Sequence, residues 1–290
     1  MKTKGIAMLY AIAAAALYAV NIPLSKLILG HAGATMTAAF LYLGAGIGLL
    51  IWGNIEKFVK AGKRQEHLTG KEMPYTVAMV ILDIVAPILL MLGIARTTSA
   101  NVSLLNNFEI VATSLIALIL FKEKISSRLW LAILMVTAAS TILSFEGIGA
   151  FTLNEGSFFV LGACICWGFE NNCTKKISHK SSTEIVVIKG CFSGMGSLAI
   201  ALLLGESVPA AKWVIAILLL GFVSYGLSIK FYIMAQQHLG AAKTSAYYSI
   251  APFLGVAFSM ALLGERPSLQ FYVAMAIMAA GAAALVKDTV

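Results

Sequence analysis

The chain has 290 residues, of which 60% are apolar and only 12% charged, with a mean hydropathy of +0.90. A soluble globule carries roughly 25% charged residues, so this chain cannot clothe a water-facing surface and is expected to be an integral membrane protein. Its formal net charge of +8 has to be judged by where the lysines and arginines fall.

Crossing a hydrocarbon core about 30 Å thick takes ~20 apolar residues, and ten runs meet that length. The first, 5–29, follows Lys2 and Lys4 as a signal peptide would. It is too long for one and no small-residue cleavage site follows, so a retained first helix is expected. Run 33–53 carries Gly44 and Gly48, and the basic loop 54–73 follows. Run 74–95 holds Asp83 with Pro87 four residues on, and run 99–121 holds LLNNFEIVA at 104–112, with Glu109 at its centre. After 127–146 comes 157–174 with Glu170, then 182–204 with Lys189, Gly190 and Gly194. Runs 211–235, 242–264 and 267–286 complete the set. A β-barrel would show segments of about ten residues in strict alternation; these runs are longer and apolar on all sides. The predicted fold is all-α and polytopic, with ten transmembrane helices.

With ten spans and the N-terminus inside, Lys2, Lys4, Lys57, Lys60, Lys63, Arg64, Lys71, Lys122, Lys124, Arg128, Lys175, Lys176, Lys180, Lys243 and Lys287 fall on the inner side. Only Arg96, Lys212 and Arg266 fall outside. This is the positive-inside pattern, so both termini are expected in the cytoplasm of a cell whose cytoplasmic membrane holds the chain. The basic excess addresses anionic lipid, not nucleic acid.

Cys164, Cys166, Cys173 and Cys191 lie in helical runs without CxxC spacing, and His31, His67, His179 and His238 make no zinc pair. No GxxxxGK[ST], HExxH or GxSxG sequence occurs. No metal, no cofactor and no enzymatic activity are expected.

The chain is written twice. At a shift of 142, residues 99–143 lie over 241–285 without a gap, matching Ala100, Ser103, Leu120, Glu123 and Ser126 to Ala242, Ser245, Leu262, Glu265 and Ser268. At a shift of 149, Tyr18 meets Trp167, Asn21 meets Glu170 and Lys26 meets Lys175; at 146, Gly44 and Gly48 meet Gly190 and Gly194. Residues 1–146 and 147–290 are therefore expected to be two repeats. Five helices is an odd number, so the second repeat enters the membrane inverted, an arrangement of secondary transporters with a site near the midplane.

The segments LLNNFEIVATSLIALILFKEKIS and YYSIAPFLGVAFSMALLGERPS, with ALYAVNIPLSK and CWGFENNCTK, resemble the paired signatures of EamA-type carriers of the drug/metabolite transporter superfamily. The resemblance covers essentially the whole chain. It implies a repeated glutamate at Glu123 and Glu265, read as holding helix junctions, and a proline at Pro252. Ile110 stands where the first-half proline is expected, and Tyr18 and Ala19 stand where the first Trp-Gly is expected. The resemblance also implies that the glycine-bearing helices slide during gating.

Acids at membrane depth are costly and mark functional sites. Three are present: Asp83, Glu109 and Glu170. Helical spacing puts Val102, Asn106, Glu109 and Thr113 in one stripe, mated by repeat with Thr244, Tyr248, Ala251 and Gly255. Ala14, Tyr18, Asn21 and Ser25 form another, mated with Ala163, Trp167, Glu170 and Thr174. Four edges are expected to line a central cavity. The competing structural readings are helix–helix hydrogen bonding for the asparagines, packing for the aromatics, and a plain ion pair with Lys189 for Glu109. Lys189 and Lys230 either line the cavity or snorkel.

No arginine accompanies these acids, so a strongly anionic substrate is not expected. An acidic, aromatic-lined cavity suits a small organic cation, an amine or an amino-acid-like metabolite. The expected substrate-binding residues are Glu109, Asn106, Asp83, Tyr18, Asn21, Trp167, Glu170 and Tyr248, with Glu109 and Asp83 exchanging protons. A flippase for an amphiphile and a passive facilitator are the alternatives. The expected partners are the small-molecule substrate and membrane lipid, with the chain a monomer or homodimer.

Overall fold

The computed structural model describes residues 2–59, 67–122, 126–145, 154–239, 244 and 247–289. Lys60, Lys63, Arg64, Glu123, Lys124, Ala242, Lys243 and Ser245, named above in the charge pattern and the repeat, lie outside the described residues. Among the described residues all secondary-structure elements are helices. In chain order they are α1 (Lys2–Ala19), α2 (Asn21–Ile28), α3 (Ala34–Val59), α4 (Met73–Arg96), α5 (Ser99–Leu105), α6 (Phe108–Phe121) and α7 (Ser127–Ser144). There follow α8 (Glu155–Ile177), α9 (Ser182–Leu203), α10 (Ala211–Gly221), a π-helical turn (Phe222–Leu227), α11 (Ser228–Leu239), α12 (Ala251–Leu263) and α13 (Leu269–Thr289).

Seven of the described helical stretches are long and apolar enough to cross a membrane, and Ala251–Leu263 and Leu269–Ala283 are shorter apolar helices. Outside both sets stands α8. That helix spans 23 residues but carries Glu155, Glu170, Lys175 and Lys176.

Several predicted spans are interrupted, each for a local reason. The first run breaks at Val20, between α1 and α2. Pro23 there has no N–H to give the Ala19 carbonyl. Pro87, inside α4, likewise leaves the Asp83 carbonyl without its helical donor. The fourth run turns at Asn106 and Asn107, and the ninth at Ser249 and Ile250 before Pro252 in the first turn of α12. Irregular backbone at membrane depth is tolerated only where it is buried in protein or lines a cavity, so these breaks belong inside.

The principal packing partners are α3 with α9 and α10, α4 with α8, α7 with α13, α1 with α11, α6 with α8, and α5 with α12. Every one of these pairs joins a helix before residue 146 to one after it. The α3–α9 contact is backbone-close: a Cβ on Gly190 would lie 2.3 Å from the Gly46 nitrogen. Gly194 abuts Leu43, whereas Gly44 and Gly48 face Leu218 and Phe222 across the α10 side. All four expected glycines thus make close helix contacts, but Gly46 is the partner of Gly190.

At the end of the bundle carrying Ile28, Arg96 and Leu263, charged side chains cap helix termini of the earlier half, two of them reaching over from the later half. Glu265 accepts from the N–H groups of Ser99 and Ala100, both at 2.8 Å. Glu206 accepts from Thr35 at 3.1 Å and Met36 at 2.7 Å. Lys26 donates to the carbonyls of Ile94 and of Thr97, the latter at 2.6 Å, closing the C-terminus of α4. A carboxylate at a helix N-terminus satisfies orphan donors and opposes the helix dipole. Glu265 therefore caps the N-terminus of α5 from the other half of the chain.

Two stability outcomes follow. Gly221→Ala places a Cβ 2.0 Å from the Leu41 carbonyl oxygen, so overpacking should cost about 1–3 kcal/mol and lower the melting temperature in detergent, while Gly5→Ala, with nothing within 4 Å, should not. Glu265→Ala orphans two N–H groups and should cost about 0.5–2 kcal/mol, with Glu265→Gln intermediate in the same melting assay.

Candidate functional site

The interface between the halves buries a charge cluster built from four helices. Asp83 of α4 is fully buried, Glu170 of α8 is 2% exposed and Lys189 of α9 is 7% exposed. The Lys189 Nζ lies 3.1 Å from Asp83 Oδ2 and 3.0 Å from Glu170 Oε1, bridging both acids. The Tyr42 hydroxyl of α3 donates to Asp83 Oδ1 at 2.9 Å, and Thr174, one turn on from Glu170, donates to Glu170 Oε1. Trp167 lies within hydrogen-bonding reach of Tyr42. The close α3–α9 approach lets Tyr42 and Lys189 reach Asp83 from two sides. Charges out of water need this: a buried carboxylate is tolerated only with an opposite charge and hydrogen bonds around it.

Glu109 is arranged differently. It sits in the first turn of α6, immediately after the break at Asn106 and Asn107. Its Oε1 accepts from Asn171 Nδ2 at 2.7 Å, and the same amide reaches Thr113 Oγ1 at 3.3 Å. Among the described residues Glu109 makes no ion pair. It is also only partly buried, unlike Asp83 and Glu170.

Next to it stands a wall of tyrosines. Tyr18 of α1 meets Tyr225 of the π-helical turn edge-on at 5.9 Å between ring centroids and Tyr248 at 6.0 Å. Tyr42 lies 5.1 Å from Tyr225, and Tyr232 lies 5.1 Å from Tyr248. Asn106 Nδ2 donates to the Tyr18 oxygen at 3.3 Å, and Asn21 Nδ2 to the Tyr225 oxygen at 3.2 Å. Glu109 is in electrostatic range of Tyr18, Tyr225 and Tyr248.

The residues singled out from the sequence therefore gather in one region. All four stripes are buried or half-buried along their lengths. Asp83 and Glu170 share one lysine, Asn106 and Asn21 each hold a tyrosine, and Trp167 sits beside Tyr42. Lys189 neither snorkels nor pairs with Glu109; it neutralises the other two acids. Lys230 is also buried, with its ammonium 5.6 Å from the Trp52 ring. Thr174 belongs to a predicted stripe, whereas Tyr42, Asn171 and Tyr225 are members that sequence reasoning did not assign to the site. Asn171 had a visible signal, standing beside Glu170 in an apolar run; Tyr225 had none, because its direction is set by the π-helical turn.

Two hollows lie away from this cluster. A groove of about 460 Å³ between α3 and α10 is lined by apolar side chains that include Gly44, Gly48, Trp52 and Phe222. A shallower depression of about 390 Å³ surrounds Lys26, Arg96, Asn154 and Glu265. Among the described residues no group of three or more histidine, cysteine, aspartate or glutamate side chains could hold a metal ion.

This architecture recurs in known proteins. A solved crystal structure superposes with a TM-score of 0.71 at 16% identity, covering 98% of this chain and 96% of its own. An uncharacterized transporter of Methanothermobacter thermautotrophicus is 24% identical over 299 aligned positions, covering 93% of this chain and 83% of its own. The family model described as "EamA-like transporter family" matches residues 5–145 and 154–287, nearly the whole chain. With its apolar helices, this polytopic membrane protein belongs to the EamA-like transporter family.

Proposed function

We propose that the chain is a secondary active transporter of the cytoplasmic membrane that moves a small organic cation, amine or amino-acid-like metabolite by alternating access. Residues 1–146 and 147–290 act as two inverted five-helix repeats, with both termini cytoplasmic. Three findings support the duplication. The family model's two matched segments flank residues 146–153; the main packing pairs each join one half to the other; and the helix breaks at Asn107 and Ser249 fall on repeat mates at the shift of 142. Two nearly equivalent halves can exchange conformations, so that the open end changes sides.

The observation that carries the proposal is the division of labour among the three acids. Lys189 neutralises Asp83 and Glu170 across α4, α8 and α9, which makes that cluster a hinge-like tie between the halves. Glu109 accepts a single side-chain hydrogen bond, from the Asn171 amide, and makes no ion pair among the described residues, so it is the acid left to take a cation. In this mechanism Glu109 holds the substrate's ammonium in one leg of the cycle and a proton in the other. The exchange is competitive, so substrate and proton move in opposite senses. Asp83, expected to exchange protons as well, instead holds Lys189 in place. The α3–α10 groove offers an amphiphile an apolar wall without a polar seat for a headgroup, which does not favour a flippase.

Two outcomes test this. In proteoliposomes with an imposed pH gradient, Glu109→Gln should lose gradient-driven amine uptake by roughly ten- to a hundredfold, the loss expected for a charged hydrogen bond. Undiminished, still pH-driven uptake by that variant would remove Glu109 from the mechanism. Lys189→Met leaves two facing carboxylates without their base and should destabilise the protein by about 3–5 kcal/mol; adding Asp83→Asn should recover part of the loss, read as non-additive melting shifts.

A further inference from the structure

The tyrosine wall carries information about the substrate beyond its positive charge, and this rests on the transporter reading above. Asn21 Nδ2 donates to the Tyr225 oxygen at 3.2 Å while its Oδ1 accepts from Ser25 Oγ at 3.2 Å. Asn106 Nδ2 donates to the Tyr18 oxygen at 3.3 Å, and the nearby Cys164 thiol lies nearest the Leu105 carbonyl, at 3.8 Å. Each phenol oxygen thus receives a hydrogen and keeps its own. Among the described residues nothing accepts the hydroxyl hydrogen of Tyr18 or Tyr225. Tyr225 is 3% exposed, and a buried donor left unmade costs roughly 1–3 kcal/mol. It lies on a π-helical turn, an irregularity often found at functional sites. On the facing side, the second oxygen of Glu109 has no partner among the described residues.

The free valences are therefore one acidic acceptor and two neutral donors, walled by aromatic rings. We propose that Tyr225, with Tyr18, is a specificity-determining residue that reads a hydrogen-bond acceptor on the substrate, and that the substrate is a monocation bearing a neutral acceptor such as an amide or ester carbonyl. The charge balance selects the neutral form. Three acids, Asp83, Glu109 and Glu170, stand against one ammonium, which Lys189 gives to Asp83 and Glu170, and among the described residues no arginine pairs with them. A second anion on the substrate meets a net negative field, and phenols cannot neutralise it. A neutral carbonyl takes the same hydrogens without that penalty.

The test uses three probes with one skeleton: phenethylamine, with an ammonium alone; phenylalaninamide, with an added neutral carbonyl; and phenylalanine, with an added carboxylate. Dissociation constants are measured by calorimetry on the full chain in nanodiscs, below the pKa of the amines. The expected order has phenylalaninamide tightest, by roughly three- to tenfold over phenethylamine, the value of one hydrogen bond. Tyr225→Phe should bring that ratio close to one, and Tyr18→Phe should lower it independently should the first variant fold poorly. Equal affinities for phenylalaninamide and phenethylamine, a ratio unmoved in both variants, or phenylalanine binding at least as tightly as its amide each overturn the inference. Glu109→Gln is run alongside: if it abolishes binding of every amine, the transporter reading stands even where the amide preference is absent. Failure of all three probes to bind the wild type overturns the inference and the amine reading together.

Discussion

An ionised side chain in hydrocarbon must find an opposite charge, hydrogen bonds or water, and in this protein that requirement organises the interior. Lys189, Asp83 and Glu170 come from three helices, and none of them could be buried with the other two removed. Bringing the three within 3.1 Å demands that α9 press against α3 and that α8 press against α4. The first is met by removing side chains, with Gly46 and Gly190 in backbone contact. The second is met at Gly93 and Gly156, where a Cβ on Gly156 would lie 3.0 Å from the Gly93 oxygen. The small residues and the charges are two halves of one arrangement: the glycines let the helices approach closely enough for the ion pairs to form, and the ion pairs add buried charge contacts to the hydrogen bonds that hold the halves in register.

The backbone breaks are bound to the same requirement. Pro87 frees the Asp83 carbonyl in the middle of α4, and the turn at Asn106 and Asn107 places Glu109 in the first turn of a new helix, where backbone N–H groups favour a carboxylate. The π-helical turn does the same service for Tyr225, re-aiming one side chain without ending the span.

How much of this was legible in the sequence depends on what each feature needs. The all-helical membrane fold needs only composition and run length, and both are plain. The four polar stripes need only helical periodicity, and all four turn inward. Lys189 was open to a calculation that settles it. It lies seven residues beyond Ser182, so at ~1.5 Å per residue it is about 10 Å deep, farther than a lysine stem comfortably snorkels. Which acid it would choose was not legible, because that is decided by which helices touch. Asp83 and Glu170 won through the α3–α9 and α4–α8 contacts, and Glu109 was left with an amide. Tyr42 and Tyr225 were invisible for the same reason: each belongs to an apolar stretch where an aromatic residue is ordinary packing, and only a neighbour from the other half gives its hydroxyl a role. The repeat reveals which helices correspond and not the register in which they meet: Gly190 packs on Gly46, a shift of two residues from its repeat mate Gly44.

That shift bears on how such a protein can move. A contact made of backbone against backbone has no interlocking side chains to pull apart, so α3 can slide on α9 while the dispersion contact is kept. The Lys189 bridge resists separation but tolerates small rotation, since its two acids lie on different helices of opposite halves. Glu109 is outside the bridge, on the helix that follows a break, so it can change partner without disturbing the tie. Under the proposed mechanism the shared charge cluster keeps the halves in register through the cycle, and Glu109, held by one amide, is answered in turn by a proton or by an ammonium.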